Sequence, residues 1–396
     1  MLARAFGAAV ELLGVSSAAV EASLGDTTST LVLVLGTLAL LRLLLGLLRL
    51  LLSAPRWLLG SAPDLPSLCG PATWACVTGA TDGIGRAYAL ELARHGMPVL
   101  LISRTDTKLE ATAAEVRALG VECDWLAVDM SLGEEIYPVV RAFLANYEVP
   151  PPPHHSPHSP HPPQPPPVCS VRSPPNPQVG FLVNNVGASY EHAEYLAEVP
   201  AEKLQQLINM NILTTTMLCH AVLPQMAERS AGAIVNVSSG MGAYPCGLYA
   251  VYSASKAYVD VLSQSLAQAR PATPRWHFVL PSSTRLFAQE YNAKGVTVQS
   301  LMPHLVVSKL SKVRKASLTC PHPEDYVASA LKTVGSASRT TGYPAQDVVA
   351  WLASLLPESL VAAVLWRAHA SIRQRALAKK GKGGRARGRG RSPSPK

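Results

Sequence analysis

The chain has 396 residues, 48 % of them hydrophobic, which suffices for one large folded domain with additional segments and excludes a wholly disordered protein. Part of its formal net charge of +9 lies in the C-terminal residues 379–396, so the charge does not by itself indicate a nucleic-acid partner, and none is expected. The 7 cysteines are scattered, without C-x-x-C pairs or the ligand spacing of a metal site, so we expect no metal and a reduced, cytosol-facing domain.

The first predicted element is a membrane anchor over residues 27–57, preceded by an N-terminal segment, residues 1–26. Residues 31–52 read LVLVLGTLALLRLLLGLLRLLL, which as a helix would span about 33 Å, enough to cross the hydrocarbon core of a bilayer. An interfacial helix and a cleaved signal peptide are the alternatives, but the apolar run is long for a signal peptide and begins late. Acidic residues precede the run and arginines follow it, which predicts that the rest of the chain faces the cytosol.

In residues 73–345, short apolar runs alternate with longer amphipathic segments. Such runs are typical of buried parallel strands, and their spacing leaves room for a helix between successive strands. We therefore predict an α/β fold, a doubly wound Rossmann-type parallel sheet in a single domain, with ligand bound at the C-terminal ends of the strands. The apolar runs are residues 74–78, 98–103, 124–128, 180–183, 233–237 and 296–301.

Two segments interrupt this alternation. Residues 150–178 are rich in Pro, His and Ser and favour neither a helix nor a central strand, whereas residues 269–289 break an otherwise continuous helical pattern. Structureless segments of this length are uncommon inside a compact domain. We therefore expect both to loop outward as inserts, with an alternative transcript or an imperfect gene model as their origin.

The first strand leads into the sequence TGATDGIG, residues 78–85, directly before a helical segment. Glycines in such a loop let the backbone approach a pyrophosphate, and the N-terminus of the helix offers free N–H groups and positive dipole. A tight turn without a ligand is the alternative. The cofactor contacts predicted in this loop are Thr78, Gly79, Asp82, Gly83, Ile84 and Gly85.

The second, third and fourth strands also end in polar or small residues. Ser103 and Arg104 stand where an NAD site usually carries Asp or Glu, and a cation there suits the 2′-phosphate of NADPH, with a plain surface arginine as the alternative. Asp129 is predicted to accept a hydrogen bond from the adenine amine or to cap a helix. Asn184 and Gly187 are predicted to lie beside the cofactor, although a mainly structural role is the alternative.

The catalytic candidates are a serine at the end of the fifth strand and a tyrosine–lysine pair. Tyr252 and Lys256 are four residues apart on one helix face, so the ammonium is predicted to lower the pKa of the phenol and to hold the nicotinamide ribose. Ser239 is predicted to polarise the substrate carbonyl. Asn211 is predicted to hold a water that connects Lys256 to solvent.

Together these motifs resemble the short-chain dehydrogenase/reductase superfamily over about residues 73–342, apart from the two inserts. The blocks LVNNVGASYEHAEYLAEVP, AIVNVSSGMGAYP and LYAVYSASKAYVDVLSQSL resemble the very-long-chain 3-oxoacyl-CoA reductases of microsomal fatty-acid elongation, and they are also similar to certain 17β-hydroxysteroid dehydrogenases. The resemblance implies an enzyme of the endoplasmic reticulum membrane, facing the cytosol, that uses NADPH to reduce 3-oxoacyl-CoA to 3-hydroxyacyl-CoA. It also implies cofactor contacts from Val306 and Ser308, in a loop where His304 replaces a glycine common in the superfamily.

The implied partners are a long-chain acyl-CoA substrate, the lipid bilayer and other fatty-acid elongation enzymes. Residues 346–378 are predicted to form C-terminal membrane-associated helices, with a second membrane span as the alternative, and residues 379–396 a disordered basic tail. Two other functions are kept open, a steroid 17-ketone reductase and a catalytically silent Rossmann-type scaffold. The intact serine, tyrosine and lysine argue against the scaffold.

Overall fold

The computed structural model describes residues 62–71, 73–147, 178–267 and 294–389, together with scattered positions between 31 and 60. The chain divides into two compact units, Met1–Pro55 and Arg56–Lys396. In the first unit, the described positions are helical and most of them are exposed. The N-terminal segment and nearly all of both inserts lie outside the described residues, and the membrane anchor is described at scattered positions only. These assignments therefore stay predictions.

The described part of the second unit is built on seven strands. They are β1 (Thr73–Thr78), β2 (Val99–Ser103), β3 (Cys123–Ala127), β4 (Gln178–Asn184), β5 (Gly232–Val237), β6 (Val296–Leu301) and β7 (Arg339–Thr340). All pair in parallel, in the order β3-β2-β1-β4-β5-β6-β7. The predicted doubly wound α/β fold is confirmed, and each apolar run overlaps a strand. The last strand was not predicted, because two residues carry no periodicity.

The sheet buries both of its faces. Successive side chains of a strand point to opposite sides, so in β1 Ala75 and Val77 belong to one hydrophobic core and Trp74 and Cys76 to the other. Helices complete each core from outside. The helices are α1 (Leu65–Cys69), α2 (Gly83–Arg94), α3 (Asp106–Arg117), α4 (Tyr137–Ala145), α5 (Ala201–Ile208), α6 (Thr214–Glu228), α7 (Ala250–Leu266), α8 (Pro323–Leu331), α9 (Pro344–Ser354) and α10 (Glu358–Arg389).

The strand order reverses at β1, which pairs with β2 on one side and with β4 on the other. At such a switch point the connections leave the sheet in opposite directions and open a crevice beyond the carboxyl ends of the strands. The loops that follow β1, β4, β5 and β6 all begin at this edge, because the strands are parallel. Most of the predicted site residues lie in or beside these loops or in the helices that follow them, whereas Ser103 and Arg104 stand at the end of β2 and Asp129 follows β3.

The helices α9 and α10 follow the last strand, and the chain bends by 119° between them. Within the described residues, this bent pair and Ala201–Glu228 are long and apolar enough to cross a membrane, but 56 % of the most apolar window of the latter is buried as a core helix. Membrane association of residues 346–378 stays a prediction. The structure also differs from the disorder predicted for residues 379–396, because α10 continues to Arg389. The preceding turns remove the cost of nucleation, whereas the four glycines among residues 379–389 do not favour helix.

Candidate active site

The glycine-rich loop after β1 has the backbone geometry of a phosphate cradle. Gly79 and Gly83 have positive φ angles of 64° and 52°, and a Cβ atom on Gly85 would collide with the Gly79 carbonyl oxygen. Asp82 caps α2, since its Oδ1 accepts a hydrogen bond from the Gly83 N–H at 2.8 Å. Ile84 packs against the first core. The loop therefore leads the chain tightly from strand to helix and anchors the helix N-terminus.

Thr78 and Asn185 tie this loop to the loop after β4. The Thr78 Oγ1 donates to the Val183 carbonyl oxygen at 3.2 Å and accepts from the N–H groups of Asn185 and Val186, each at 3.0 Å. The Asn185 Nδ2 donates to the carbonyl oxygens of Thr78 at 2.9 Å and Gly79 at 3.3 Å. Asn185 was not among the predicted site residues, although it is the second amide of the N-N-V-G sequence.

The side chain of Asn184 lies inside the sheet rather than beside the cofactor loop. It is 2 % exposed, and its Nδ2 donates to the Asn236 Oδ1 at 2.8 Å and to the Cys219 Sγ at 3.3 Å. Alternation along β4 turns this side chain into the core, which favours the structural alternative. The predicted cofactor contact of Asn184 stays a prediction.

Gly187, in contrast, is brought to the catalytic group. A Cβ atom there would lie 3.1 Å from the Asn211 Oδ1 and 3.3 Å from the Lys256 Nζ. Both contacts are tighter than carbon normally makes with polar atoms. The glycine thus leaves the space in front of the lysine open.

The polar residues after β2 and β3 lie close together. The Arg104 side chain is 59 % exposed, and its Nη1 lies 3.9 Å from the Asp129 Oδ2. Asp129 also accepts a hydrogen bond from the Ser131 N–H at 2.9 Å. It therefore caps a helix, which is one of the two roles predicted for it. Ser103 Oγ lies 3.1 Å from the Thr81 Oγ1 of the glycine-rich loop. This corner offers an accessible cation beside the nucleotide loop.

Ser239 and Tyr252 meet at the edge of the sheet. Ser239 follows β5, and its Oγ accepts a hydrogen bond from the Met241 N–H at 3.2 Å. The Ser239 hydroxyl also lies close enough to the Tyr252 phenol to lower the pKa of that group. Because Tyr252 and Lys256 lie one turn apart on α7, the helix presents both to this edge.

Burial decides the protonation of the tyrosine and the lysine. It raises the pKa of Tyr252, and this effect outweighs the opposing influence of the nearby Ser239 hydroxyl. It lowers the pKa of Lys256 to about 8. The Lys256 Nζ donates to the Val237 carbonyl oxygen at 2.8 Å. The predicted lowering of the Tyr252 pKa by the ammonium is thus not seen, because desolvation dominates, and the phenol is held in its proton-donating form.

Asn211 lies in a π-helical turn, Asn209–Leu213, between α5 and α6. Its Oδ1 accepts from the Ala188 N–H at 2.8 Å, and its Nδ2 donates to the Ala188 carbonyl oxygen at 3.1 Å and to the Ser255 Oγ at 2.9 Å. Both amide hydrogens are used within the protein, so the side chain positions the loop after β4 against α7. The predicted contact with a water stays a prediction.

The loop after β6 closes over the glycine-rich loop. Val306 is buried, and the Cβ of Ser308 is 3.5 Å from the place of a Cβ on Gly83. The Lys309 Nζ pairs with the Asp82 Oδ2 at 2.5 Å. A cavity of about 700 Å³ lies between the two loops. Both residues implied by the resemblance therefore lie next to the nucleotide loop.

Gln346 holds the loop after β6 in place, and the sequence did not predict this role. Its side chain is fully buried, and its Oε1 accepts from the His304 N–H at 3.0 Å. Its Nε2 donates to the carbonyl oxygens of Leu305 at 2.8 Å and Thr319 at 3.0 Å. No local sequence pattern indicates such a residue, because all partners of its side chain lie far away in the sequence. Burial lowers the pKa of His304 itself, which favours its neutral form.

Known proteins resemble this chain in sequence and in fold. A family model described as short chain dehydrogenase matches residues 73–149 and 176–273, so the match omits most of the first insert. The very-long-chain 3-oxoacyl-CoA reductase of Anas platyrhynchos is 39 % identical over 79 % of this chain and 85 % of that protein. The inactive hydroxysteroid dehydrogenase-like protein 1 of Rattus norvegicus is 36 % identical over 81 % of this chain and 82 % of that protein.

Among solved structures, one of a 7β-hydroxysteroid dehydrogenase has a TM-score of 0.56 at 20 % identity, covering 76 % of this chain and 99 % of that one, which shows a common fold. The identity to the duck reductase extends over most of both chains and so shows common descent as well. The chain therefore belongs to the short-chain dehydrogenase/reductase family, and it is an oxidoreductase of CH–OH and C=O groups similar to the very-long-chain 3-oxoacyl-CoA reductases.

Proposed function

We propose that this chain reduces the 3-oxo group of long-chain acyl-CoA to the 3-hydroxy group with NADPH, at the endoplasmic reticulum membrane, in fatty-acid elongation. The observation that carries the proposal is the meeting of Ser239, Tyr252 and Lys256 at the sheet edge, in a chain similar over most of its length to reductases named for this activity. Acyl-CoA is the substrate and the elongation enzymes are the expected partners for the same reason.

Tyr252 is the proton donor in this mechanism. Its pKa is raised by burial, so the phenol keeps its proton at neutral pH, and the Ser239 hydroxyl lies close to it. When bound, NADPH supplies the hydride that reduces the carbonyl carbon. The Ser239 hydroxyl donates a hydrogen bond to the carbonyl oxygen as negative charge develops there, and Tyr252 gives that oxygen its proton. The Lys256 ammonium stabilises the phenolate that remains.

The residues present fit a phosphorylated dinucleotide. The positive φ angles of Gly79 and Gly83 turn the chain tightly into the start of α2, and a pyrophosphate is favourable at the N-terminus of a helix. The exposed Arg104 guanidinium at the end of β2 suits a 2′-phosphate, which binds arginine through charge-assisted hydrogen bonds. This cation supports NADPH over NADH as the reductant.

The membrane assignment is supported by two apolar regions. Residues 31–52 are long and apolar enough to cross a bilayer. The helices α9 and α10 expose large apolar side chains, among them Val349, Leu352 and Val364. An exposed apolar surface of this kind is typical of a helix that lies in the membrane interface. The catalytic domain faces the cytosol in this proposal, as the arginines after the anchor predict.

The variant Tyr252→Phe tests the mechanism. Membranes that contain the full chain are expected to oxidise NADPH when 3-oxoacyl-CoA is added, and the variant is expected to lose at least about 100-fold in kcat, because the proton donor is gone. Tyr258→Phe is the matched control, since Tyr258 lies on the same helix, is partly exposed and hydrogen-bonds to Thr216. Undiminished reduction by Tyr252→Phe contradicts the proposal.

A steroid 17-ketone reductase is the second candidate, favoured by the similarity to a protein named for hydroxysteroid dehydrogenases. The same residues serve either carbonyl, so an assay of the same membranes with a 17-ketosteroid separates the two. A larger kcat/KM for the steroid than for 3-oxoacyl-CoA would favour this candidate. The relative is also named inactive, and binding of NADPH without turnover of either substrate would point to a silent scaffold.

A further inference from the structure

The C-terminal helix α10 forms one wall of a second cavity beside the catalytic tyrosine. This cavity holds about 850 Å³, a volume suited to a large ligand. On one side the rings of Tyr190 and Tyr249 stack at 5.5 Å, and Tyr249 directly precedes α7, three residues before Tyr252. On the other side lie Ile372 and Ala376 of α10. A ligand that fills this cavity therefore contacts α10 while it approaches the proton donor.

Contacts made by residues 369 and 373 of α10 hold the helix against the cavity. Arg373 forms an ion pair with Glu194 at 2.6 Å and a second one with Glu198. One turn earlier, the His369 Nδ1 lies 3.1 Å from the Gly247 carbonyl oxygen. These partners come from the loops after β4 and β5, so the helix is held to the same loops that build the catalytic site. These contacts therefore fix the position of the helical turn that follows Arg373 and lines the cavity.

That next turn brings positive charge to the cavity. Arg375 and Lys379 are four residues apart on the face of α10 that lines the cavity, and Lys312 joins them from the loop after β6. The Arg375 guanidinium bonds to Ser371 of its own helix, and the Lys312 Nζ donates to the carbonyl oxygen of Glu191. Glu191 is the acidic residue among the described lining residues, so cations outnumber carboxylates there.

We propose that Arg375, Lys379 and Lys312 bind the phosphate groups of the CoA part of the substrate. The inference rests on the proposed function, because it takes the substrate to be a CoA thioester. Guanidinium and ammonium groups form strong charge-assisted hydrogen bonds with phosphate, and exposure leaves both cations of α10 accessible. Leu310 and Ile372 supply apolar surface for the chain that leads to the thioester. A steroid has no phosphate, so these cations select acyl-CoA over steroids.

Titration of free CoA into the full-length protein tests the inference without turnover. The double variant Arg375→Gln/Lys379→Gln is expected to bind CoA at least tenfold more weakly in a calorimetric titration than the unchanged protein, and its affinity is expected to depend less on salt. Arg367→Gln is the matched control, because Arg367 is exposed on the same helix and does not line the cavity. Equal CoA affinity in the double variant and the control overturns the inference.

Kinetics give a second readout. The double variant is expected to lower at least tenfold the ratio of kcat/KM for a 3-oxoacyl-CoA to kcat/KM for the matching N-acetylcysteamine thioester, which lacks the phosphates. An unchanged ratio overturns the inference. Loss of binding to vesicles of anionic phospholipid, with CoA affinity kept, also overturns it and assigns the cations to lipid headgroups. If neither thioester is reduced by the unchanged protein, the proposed function fails, whereas the CoA titration still decides the role of these cations.

Discussion

Two buried side chains at the catalytic centre respond to burial in opposite directions. Tyr252 is 8 % exposed and Lys256 is 4 % exposed. Loss of water disfavours the charged form of each, which raises the pKa of Tyr252 and lowers that of Lys256 to about 8. At neutral pH the phenol therefore holds its proton while the amine is still mostly an ammonium, which is the combination that carbonyl reduction needs.

The pH dependence of reduction follows from these directions. A base with a lowered pKa is charged only below that value, so kcat/KM is expected to be constant near pH 7 and to fall above about pH 8 as Lys256 loses its proton. In Lys256→Arg the fall is expected to move upward by more than one pH unit, because a guanidinium stays charged. Initial rates of NADPH oxidation across pH measure both profiles. The same alkaline fall in the two proteins would contradict the role of Lys256.

The placement of the candidate catalytic residues could be predicted from the sequence because their geometry is local. Tyr252 and Lys256 share a helix face through their spacing alone, whereas the choice between Asn184 and Asn185 depends on where β4 ends. The two adjacent amides look alike in the sequence, and only the structure shows which one faces the glycine-rich loop. Gln346 was missed because it acts through carbonyl groups distant in the chain.

At the scale of elements, the central strands were predictable and the placement of α10 was not. Buried parallel strands are continuously apolar, so their positions are visible in the sequence. A helical pattern indicates a helix but does not name the surface against which it packs. The contacts of Trp366, His369 and Arg373 with the loops of the catalytic domain join segments more than a hundred residues apart, and no local signal reports them.

The contact between Gly247 and Trp366 gives a test of how α10 is held. A Cβ atom at Gly247 would collide with the indole ring, so Gly247→Ala is expected to destabilise the protein by about 1–3 kcal/mol and to raise KM for acyl-CoA as α10 shifts. Adding Trp366→Leu restores space, so the double variant is expected to lose less than the two single variants summed. Thermal unfolding and steady-state kinetics measure both effects. Strict additivity in unfolding would argue against the contact.

At the scale of the whole molecule, the first insert interrupts a domain that is otherwise continuous. The family match stops at residue 149 and resumes at residue 176, and β4 begins two residues later between β1 and β5. Composition alone allowed this segment to be recognised, because a Pro, His and Ser sequence cannot supply a central strand. The second insert, residues 269–289, is predicted from the helical pattern on either side of it and stays a prediction.

Deletion of residues 150–175 tests whether the first insert contributes to the fold. Six residues would then connect the end of α4 at Ala145 to the start of β4 at Gln178, within the usual range of about 2–6 for such connections. We expect kcat/KM to stay within about threefold and thermal stability to be equal or slightly higher, since a shorter loop costs less entropy. Unfolding midpoints and NADPH oxidation rates report the outcome. A shortened chain that fails to fold would show that the insert is integral.

The ion pair between Arg373 and Glu194 joins positions 179 residues apart, so one wall of the second cavity comes from a segment that is synthesised long after the loop it binds. A growing polypeptide emerges from its N-terminal end and folds in that order. The nascent chain thus acquires its nucleotide cradle and its tyrosine–lysine helix while the second cavity is still open on one side. The wall that α10 gives this cavity forms only when translation has gone past α10.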